Sequence, residues 1–259
     1  VVSRGAVVGK FSQRNPAQEE KVSQIMSQIL PGSKIELGHR VSGHLNFPRR
    51  AATTKLTLAT KESYARFALA ISRALEERRI TAPVYILKAD GGTLPLEGSL
   101  QMPVETIFSG PAASIMGVMA LTPPGQTSVV VDIGGTTTDL ALILSGSPLL
   151  SSKGARVDSM LTHVRAFAVR SVAIGGDSAV DVAEDCLTVG PQRNGSPFCL
   201  GGTGPTPTDA LRVLGRSSVG DLERAKEAMA GVASRMNCTA EKAAEMVLDS
   251  VVEKIASQV

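Results

Sequence analysis

Residues 129–144 read VVVDIGGTTTDLALIL: an apolar run, Asp132, the pair Gly134-Gly135, then Thr136, Thr137, Thr138 and Asp139 before a second apolar run. Backbone NH groups, hydroxyls and two carboxylates gathered at one bend are what a phosphate with a divalent cation uses. Gly134 and Gly135 let the backbone approach a phosphate with no Cβ in the way and can supply positive φ. The three threonines offer hydroxyl and amide donors. Asp132 and Asp139 suit Mg²⁺, which takes oxygen ligands and keeps several waters. A dinucleotide fold needs G-x-G-x-x-G followed by a helix. LALIL follows instead, and the β-branched threonine run with the apolar residues after it predicts a returning strand and a hairpin. The bland alternative is a β-turn built from Asp and Thr, but two carboxylates around a Gly-Gly-Thr bend exceed what a turn requires.

Other segments carry weaker signals. Gly175-Gly176-Asp177-Ser178 follows a predicted strand and precedes a predicted helix, so helix-terminal NH groups and the Ser178 hydroxyl could face an anion; a capped strand-to-helix turn is the alternative. Asp90-Gly91-Gly92 reads mainly as a turn. GAVVGKFS (5–12) imitates a P-loop but has three residues rather than four between its glycines, and Phe11 stands where a magnesium-binding hydroxyl belongs. His39, His44 and His163 share no metal-ligand spacing. Cys186, Cys199 and Cys238 show no CxxC pattern, which predicts reduced, buried thiols. No G-x-S-x-G elbow supports Ser-His-Asp catalysis.

These motifs must be positioned by the rest of the 259 residues, 43% of them apolar, enough for one large or two modest domains. The net charge of +3 is scattered, 3% of residues are aromatic and Trp is absent, which argues against nucleic-acid binding. No 18-residue apolar run and no signal-peptide pattern occur, predicting a soluble, cytoplasmic protein without a membrane segment. Asn15-Pro16-Ala17-Gln18 starts a helix, with Asn15 as cap answered by Gln18, and Pro31-Gly32 stops it. A second helix is predicted from about 58 to 79 on the stripe Phe67, Ile71, Leu75. PVYILK (83–88) is a buried strand, and Ser109-Gly110-Pro111 caps a tightly packed small-residue helix through 121. Strands follow at about 128–133, 138–144, 149–153 and 164–174, then a helix over AVDVAED (179–185). Residues 190–206 form an irregular loop, Thr208-Asp209 cap a short helix through Leu214, and two helices, about 221–236 and 240–257, end the chain. Their inward stripe is Ala244, Val247, Val251 and Ile255.

HRVSGHLNFPRRAATTKLTLA (39–59), KADGGTLPLEGSLQMPVETIFSGPAASIMGVMAL (88–121), VVVDIGGTTTDLALIL and the ordered run IGGDSAVDV, LTVGP and GGTGPTPTDALRVLG (174–215) together resemble the hydantoinase/5-oxoprolinase family, hydantoinase A type. The resemblance covers most of the chain. It implies an α/β fold of the actin, sugar-kinase and heat-shock-chaperone ATPase kind: ribonuclease-H-like half-domains with mixed sheets flanked by helices, closing on ATP and Mg²⁺. Residues 1–122 would be the remainder of the first half-domain, with 109–121 as hinge helix, and 123–259 the second. Small residues Gly110, Ala112, Ala113 and Gly117 fit a helix that slides during closure. Asp132, Gly134, Gly135, Thr136, Thr137 and Asp139 would be the second phosphate hairpin, with Asp132 and Asp139 on the metal. Gly175, Gly176, Asp177 and Ser178 resemble the family's GGGS segment, with Asp177 in place of a glycine. No strand–Asp-Gly-Gly-Thr hairpin is expected before residue 128, and no glycine pair follows 215 for the adenosine, so the resemblance marks the chain as a fragment. It implies ATP-dependent opening of a cyclic amide such as a hydantoin or 5-oxoproline, or a related carboxylation, by a protein with a partner subunit or in a homo-oligomer. The alternative is a non-catalytic or regulatory ATPase-fold module acting with partner subunits.

Overall fold

The first two strands, β1 (Arg4–Val7) and β2 (Lys34–Leu37), are parallel, paired from Arg4↔Lys34 to Val7↔Leu37. Parallel neighbours need a crossover, and α1 (Ala17–Ile29) supplies it. Asn15 Oδ1 accepts the Ala17 NH at 3.1 Å, but the cap position falls on Pro16, one residue later than expected, and carries no side-chain cap bond. The computed structural model that shows this describes residues 2–184 and 186–258.

After a single turn, α2 (Gly38–Val41), comes α3 (Phe47–Glu77), which starts at Phe47 and not near Leu58. Asn46 caps it by accepting the Arg49 NH, and Pro48 stands in its first turn. The early half was hidden because its buried face is polar: Arg50, Thr53, Thr54 and Thr57 are all at most 2% exposed. The three threonines bond back to carbonyls four residues earlier, which satisfies hydroxyls that would be costly to bury alone. The expected stripe is not the buried one, since Phe67 is 49% exposed and Ala68 takes the inward position.

β3 (Tyr85–Leu87) and β4 (Thr93–Pro95) form an antiparallel hairpin around Asp90-Gly91-Gly92. A strand–Asp-Gly-Gly-Thr–strand unit therefore does precede residue 128, contrary to expectation. α4 (Leu96–Ser99) and a 3-10 turn (Pro103–Thr106) lead to α5 (Ser109–Leu121). Phe108, at φ 65°, holds the cap position expected of Ser109, and of α5 only Ala112 and Ile115 are buried, so this helix is not tightly packed.

The central hairpin forms as predicted: β5 (Ser128–Ile133) and β6 (Thr138–Leu144). β7 (Ser147–Pro148) pairs with β6; β8 (Arg156–Val157) pairs with β9 (Met160–Leu161); β10 (Val169–Val172) also joins β6, giving the order β10-β6-β5. The strand expected at 149–153 shrinks to one bridge, Leu150↔Phe167.

AVDVAED is not a helix. Val180–Ala183 is β11, paired antiparallel with β12 (Cys186–Val189); Asp185 lies outside the described residues. Val180 and Val182 are buried while Asp181 and Ala183 are exposed, a period-two pattern that four residues make easy to mistake. α6 (Pro207–Val213) is capped by Thr206, two residues earlier than the expected Thr208, in a capping box with Asp209. α7 (Leu222–Met236) and α8 (Ala240–Ala256) follow, capped by Asp221 and Thr239. Met229, Val232, Ala244 and Val247 build a core with Val180, Val182 and Val189, and Val251 and Ile255 pack on it. Cys199 is buried, Cys238 is half-buried and Cys186 is exposed, so the last departs from expectation.

By contacts the chain divides into two compact units, Val1–Ser128 with Leu142–Val169, and Val129–Ala141 with Arg170–Val259. Among the described residues no helix is long and apolar enough to cross a membrane.

Candidate functional site

In the second unit, β5 and β6 carry a bend in which the Gly134 NH donates to Thr137 O at 2.9 Å. Gly134, Gly135 and Thr136 are exposed; Asp132, Thr137 and Asp139 are half-buried. Neither Gly134 nor Gly135 has positive φ. At Gly135 and at Gly175 of the facing turn the need for glycine is one of space. The turn Gly175–Ser178 packs directly on the bend: the Gly176 NH donates to Gly134 O at 2.9 Å and the Asp177 NH to Gly135 O at 2.7 Å. A Cβ on Gly175 would stand 2.5 Å from Gly134 O and 2.6 Å from Gly135 O, and one on Gly135 would stand 2.7 Å from Asp177 Oδ2. A Cβ on Gly176 would meet Thr208 Oγ1 at 2.7 Å. Two glycine turns, separate in sequence, thus form one close-packed structure.

The remaining predicted residues serve it in different ways. Thr138 is fully buried and donates its hydroxyl to Ile174 O at 2.8 Å, tying β6 to the second turn. Ser178 is 2% exposed and its Oγ accepts the Gly175 NH at 2.9 Å, so this hydroxyl closes its own turn. After Ser178 comes β11 and not the helix that the sequence pattern predicts, so the turn offers no helix terminus. Asp177 pairs with Arg193, Nη2 to Oδ2 at 2.7 Å, and Arg193 Nη1 lies 3.5 Å from Thr136 Oγ1. Arg193 stands in no motif, and its only trace in the sequence is a cation inside a glycine- and proline-rich loop.

The other candidates are closed by their own side chains. In the P-loop imitation the Gly9 NH donates to Glu19 Oε1 at 2.6 Å and Gly9 O accepts from Arg50 at 2.6 Å. Glu19, 1% exposed, also accepts the His39 NH and faces His39 Nδ1 at 2.7 Å. Burial pushes the Glu19 carboxyl up, but hydrogen bonds from Ser12, Gly9 and His39 outweigh this and hold it below its usual range. His163 Nδ1 meets Ser42 Oγ at 2.7 Å, and burial, then the neighbouring His44, pushes its pKa down. In the β3–β4 turn, Asp90 Oδ1 accepts the Gly92 NH at 3.1 Å and lies 3.4 Å from Lys88 Nζ, which is 3.7 Å from Glu105. Burial pushes the Glu105 carboxyl up. Among the described residues no group of three or more His, Cys, Asp or Glu side chains is arranged to hold a metal ion.

The fold is mixed α/β, and its most built feature is a strand-turn-strand bend packed on a second glycine turn. A sequence model of the Hydantoinase/oxoprolinase family matches residues 50–259, and the chain belongs to that family. It is 29% identical over 220 residues to the caprolactamase subunit alpha of Pseudomonas jessenii, covering 82% of this chain and 32% of that protein. It is 30% identical over 220 residues to the acetophenone carboxylase gamma subunit of Aromatoleum aromaticum, covering 79% and 30%. The chain thus spans about a third of the length of these curated relatives. A nucleotide-free acetone carboxylase structure shares the fold at a TM-score of 0.80 and 21% identity, covering 97% of this chain and 38% of that one. The ATP-dependent caprolactamase structure from Pseudomonas jessenii superposes with a TM-score of 0.67 at 25% identity, covering 95% and 38%.

Proposed function

We propose that the chain supplies one phosphate-binding hairpin of an ATP-dependent enzyme that opens a cyclic amide or carboxylates a related small substrate. The observation that carries this reading is the close packing of Gly134-Gly135 on Gly175-Gly176, which leaves Gly134, Gly135 and Thr136 exposed at the bend. A phosphate fits there because exposed glycine backbone admits an oxygen where a side chain would block it. Thr136 and Thr137 would donate to phosphate oxygens. Asp132 and Asp139 would hold Mg²⁺ directly or through water, an ion that needs only one or two carboxylates once phosphate supplies the rest. Bound ATP would activate a substrate oxygen by phosphorylation. This chain's contribution is to fix the phosphates and offset their charge, the positioning and electrostatic part of phosphoryl transfer. Gly175, Gly176, Asp177 and Ser178 would brace the hairpin from behind.

The relatives named above support both branches, ring opening in the caprolactamase and carboxylation in the acetophenone and acetone enzymes. Their designation as subunits supports a partner chain for this protein. In this reading residues 1–122, with the helix 109–121, and 123–259 remain the two proposed half-domains, and the site of action is the cytoplasm. The test is ADP release from ATP by the protein, alone and with its partner subunit, with caprolactam, hydantoin or 5-oxoproline and, separately, with a ketone plus bicarbonate. Turnover that rises with one substrate class supports the reading and chooses the branch. Slow, substrate-independent hydrolysis would favour a regulatory ATPase module instead.

A further inference from the structure

The loop between β12 and α6 returns Arg193 to the bend, where its guanidinium touches both turns: Asp177 at 2.7 Å and Thr136 at 3.5 Å. The Arg193 side chain is 46% exposed and that of Asp177 18%. An ion pair this exposed adds little to folding stability. A carboxylate beside Gly135 also opposes a phosphate there. Both residues make sense together if the pair has a task at the bend. Arginine offers five N–H donors in a planar fork suited to phosphate, and the two contacts above use two of them. Holding a long side chain in place beforehand removes much of the ordering cost at the moment of binding.

We propose that Arg193 is a cationic ligand for the phosphates at the β5–β6 bend and that Asp177 is its positioning residue. This rests on reading the bend as a phosphate site. Asp177, which stands where the family resemblance has a glycine, is then not a defect in the turn but the anchor of an added cation. Its carboxylate charge is offset by the same guanidinium, whose remaining donors meet the anion.

The test titrates the chain with tripolyphosphate at low ionic strength, following affinity by calorimetry and the amide resonances of Gly134 to Thr137 by NMR. Arg193→Ala should weaken binding about 10- to 100-fold, the loss expected when a charge-assisted hydrogen bond to a bound anion is removed. Arg193→Lys should fall between, and the Tm of both unliganded variants should match wild type. In an Asp177→Asn background the Arg193→Ala factor should shrink at least about threefold, because the positioned fork is already lost. The Arg193 Nε–H resonance should broaden in Asp177→Asn with no change in Tm. If the bend amides shift in wild type yet Arg193→Ala binds as tightly, Arg193 is not a ligand and the phosphate reading of the bend survives. An Arg193→Ala factor unchanged by Asp177→Asn removes the positioning role. If wild type shows no shift at the bend, both the phosphate site and the role of Arg193 are overturned.

Discussion

Two hairpins in this molecule carry nearly the same letters, Asp90-Gly91-Gly92-Thr93 at the bend of β3 and β4 and Asp132-Ile133-Gly134-Gly135-Thr136 at the bend of β5 and β6. Their glycines do different things. Gly91 sits at φ 81°, and a Cβ there would stand 2.7 Å from Phe167 Cζ and 3.0 Å from Met116 Sδ. It is glycine because the backbone is left-handed and an aromatic ring covers it. Asp90 spends its carboxylate on the Gly92 NH and on Lys88. At the second hairpin φ is ordinary and the bend is exposed; a Cβ on Gly135 would meet the Asp177 carboxylate at 2.7 Å, and Gly175 of the facing turn is the glycine that lets the two backbones meet. The lesson is that a Gly-Gly-Thr closely preceded by an aspartate marks a tight bend in both places. What lies against the bend, a ring or a second polar turn, separates a packed turn from a candidate anion site.

That contrast can be broken by substitution. Gly91→Ala should have the largest effect on folding, about 3 kcal/mol, from a strained left-handed residue plus overpacking against Phe167. Urea unfolding would measure it, and phosphate binding by the protein that remains folded should be unchanged. Gly175→Ala should cost about 1–3 kcal/mol, because the new methyl meets two carbonyl oxygens that cannot turn away as a side chain can. It should also weaken phosphate binding by separating the two turns. A Gly175→Ala protein that binds as wild type would dissolve the distinction between the hairpins.

Smaller effects sharpen it. Burial beside the first hairpin raises the Glu105 carboxyl above its usual 4.5, partly countered by Lys88. A folded value above the unfolded one contributes stability fully present below the ordinary carboxylate range and lost as pH rises through the folded value. Glu105→Gln should remove that slope, which unfolding midpoints measured from pH 4 to 7 would show. The smallest effect is on reactivity. Cys199 is 4% exposed, and burial with Asp209 alongside pushes its thiol up to about 12. Cys186 is exposed. A thiol reagent followed by mass spectrometry should label Cys186 promptly and Cys199 only on unfolding.

The β5–β6 hairpin was legible because two apolar runs, the first rich in valine, flank a bend of glycine and threonine. The terminal helices were legible too, since Ala244, Val247, Val251 and Ile255 repeat at helical spacing over a long stretch. What escaped was shorter or inverted. β11 is four residues of VDVA, too few for a period to declare itself, and an acidic, alanine-containing run favours the helical guess. The start of α3 escaped because its inward face is arginine and threonine, polar groups buried only because carbonyls of the same helix and neighbouring loops receive them. The packing of Gly175 on Gly134 and the arrival of Arg193 at Asp177 join residues far apart in sequence. No local pattern encodes such a meeting.

The central claim is that the β5–β6 bend with its supporting turn, and not the β3–β4 bend, receives phosphate. Titration of the ¹⁵N-labelled chain with ATP and Mg²⁺ tests it residue by residue. Saturable amide shifts are expected at Gly134 to Thr137 and Gly175 to Ser178, with Gly91 to Thr93 and Gly9 unmoved. Shifts centred on Gly91 to Thr93 or Gly9, with the 134–137 amides silent, would contradict it.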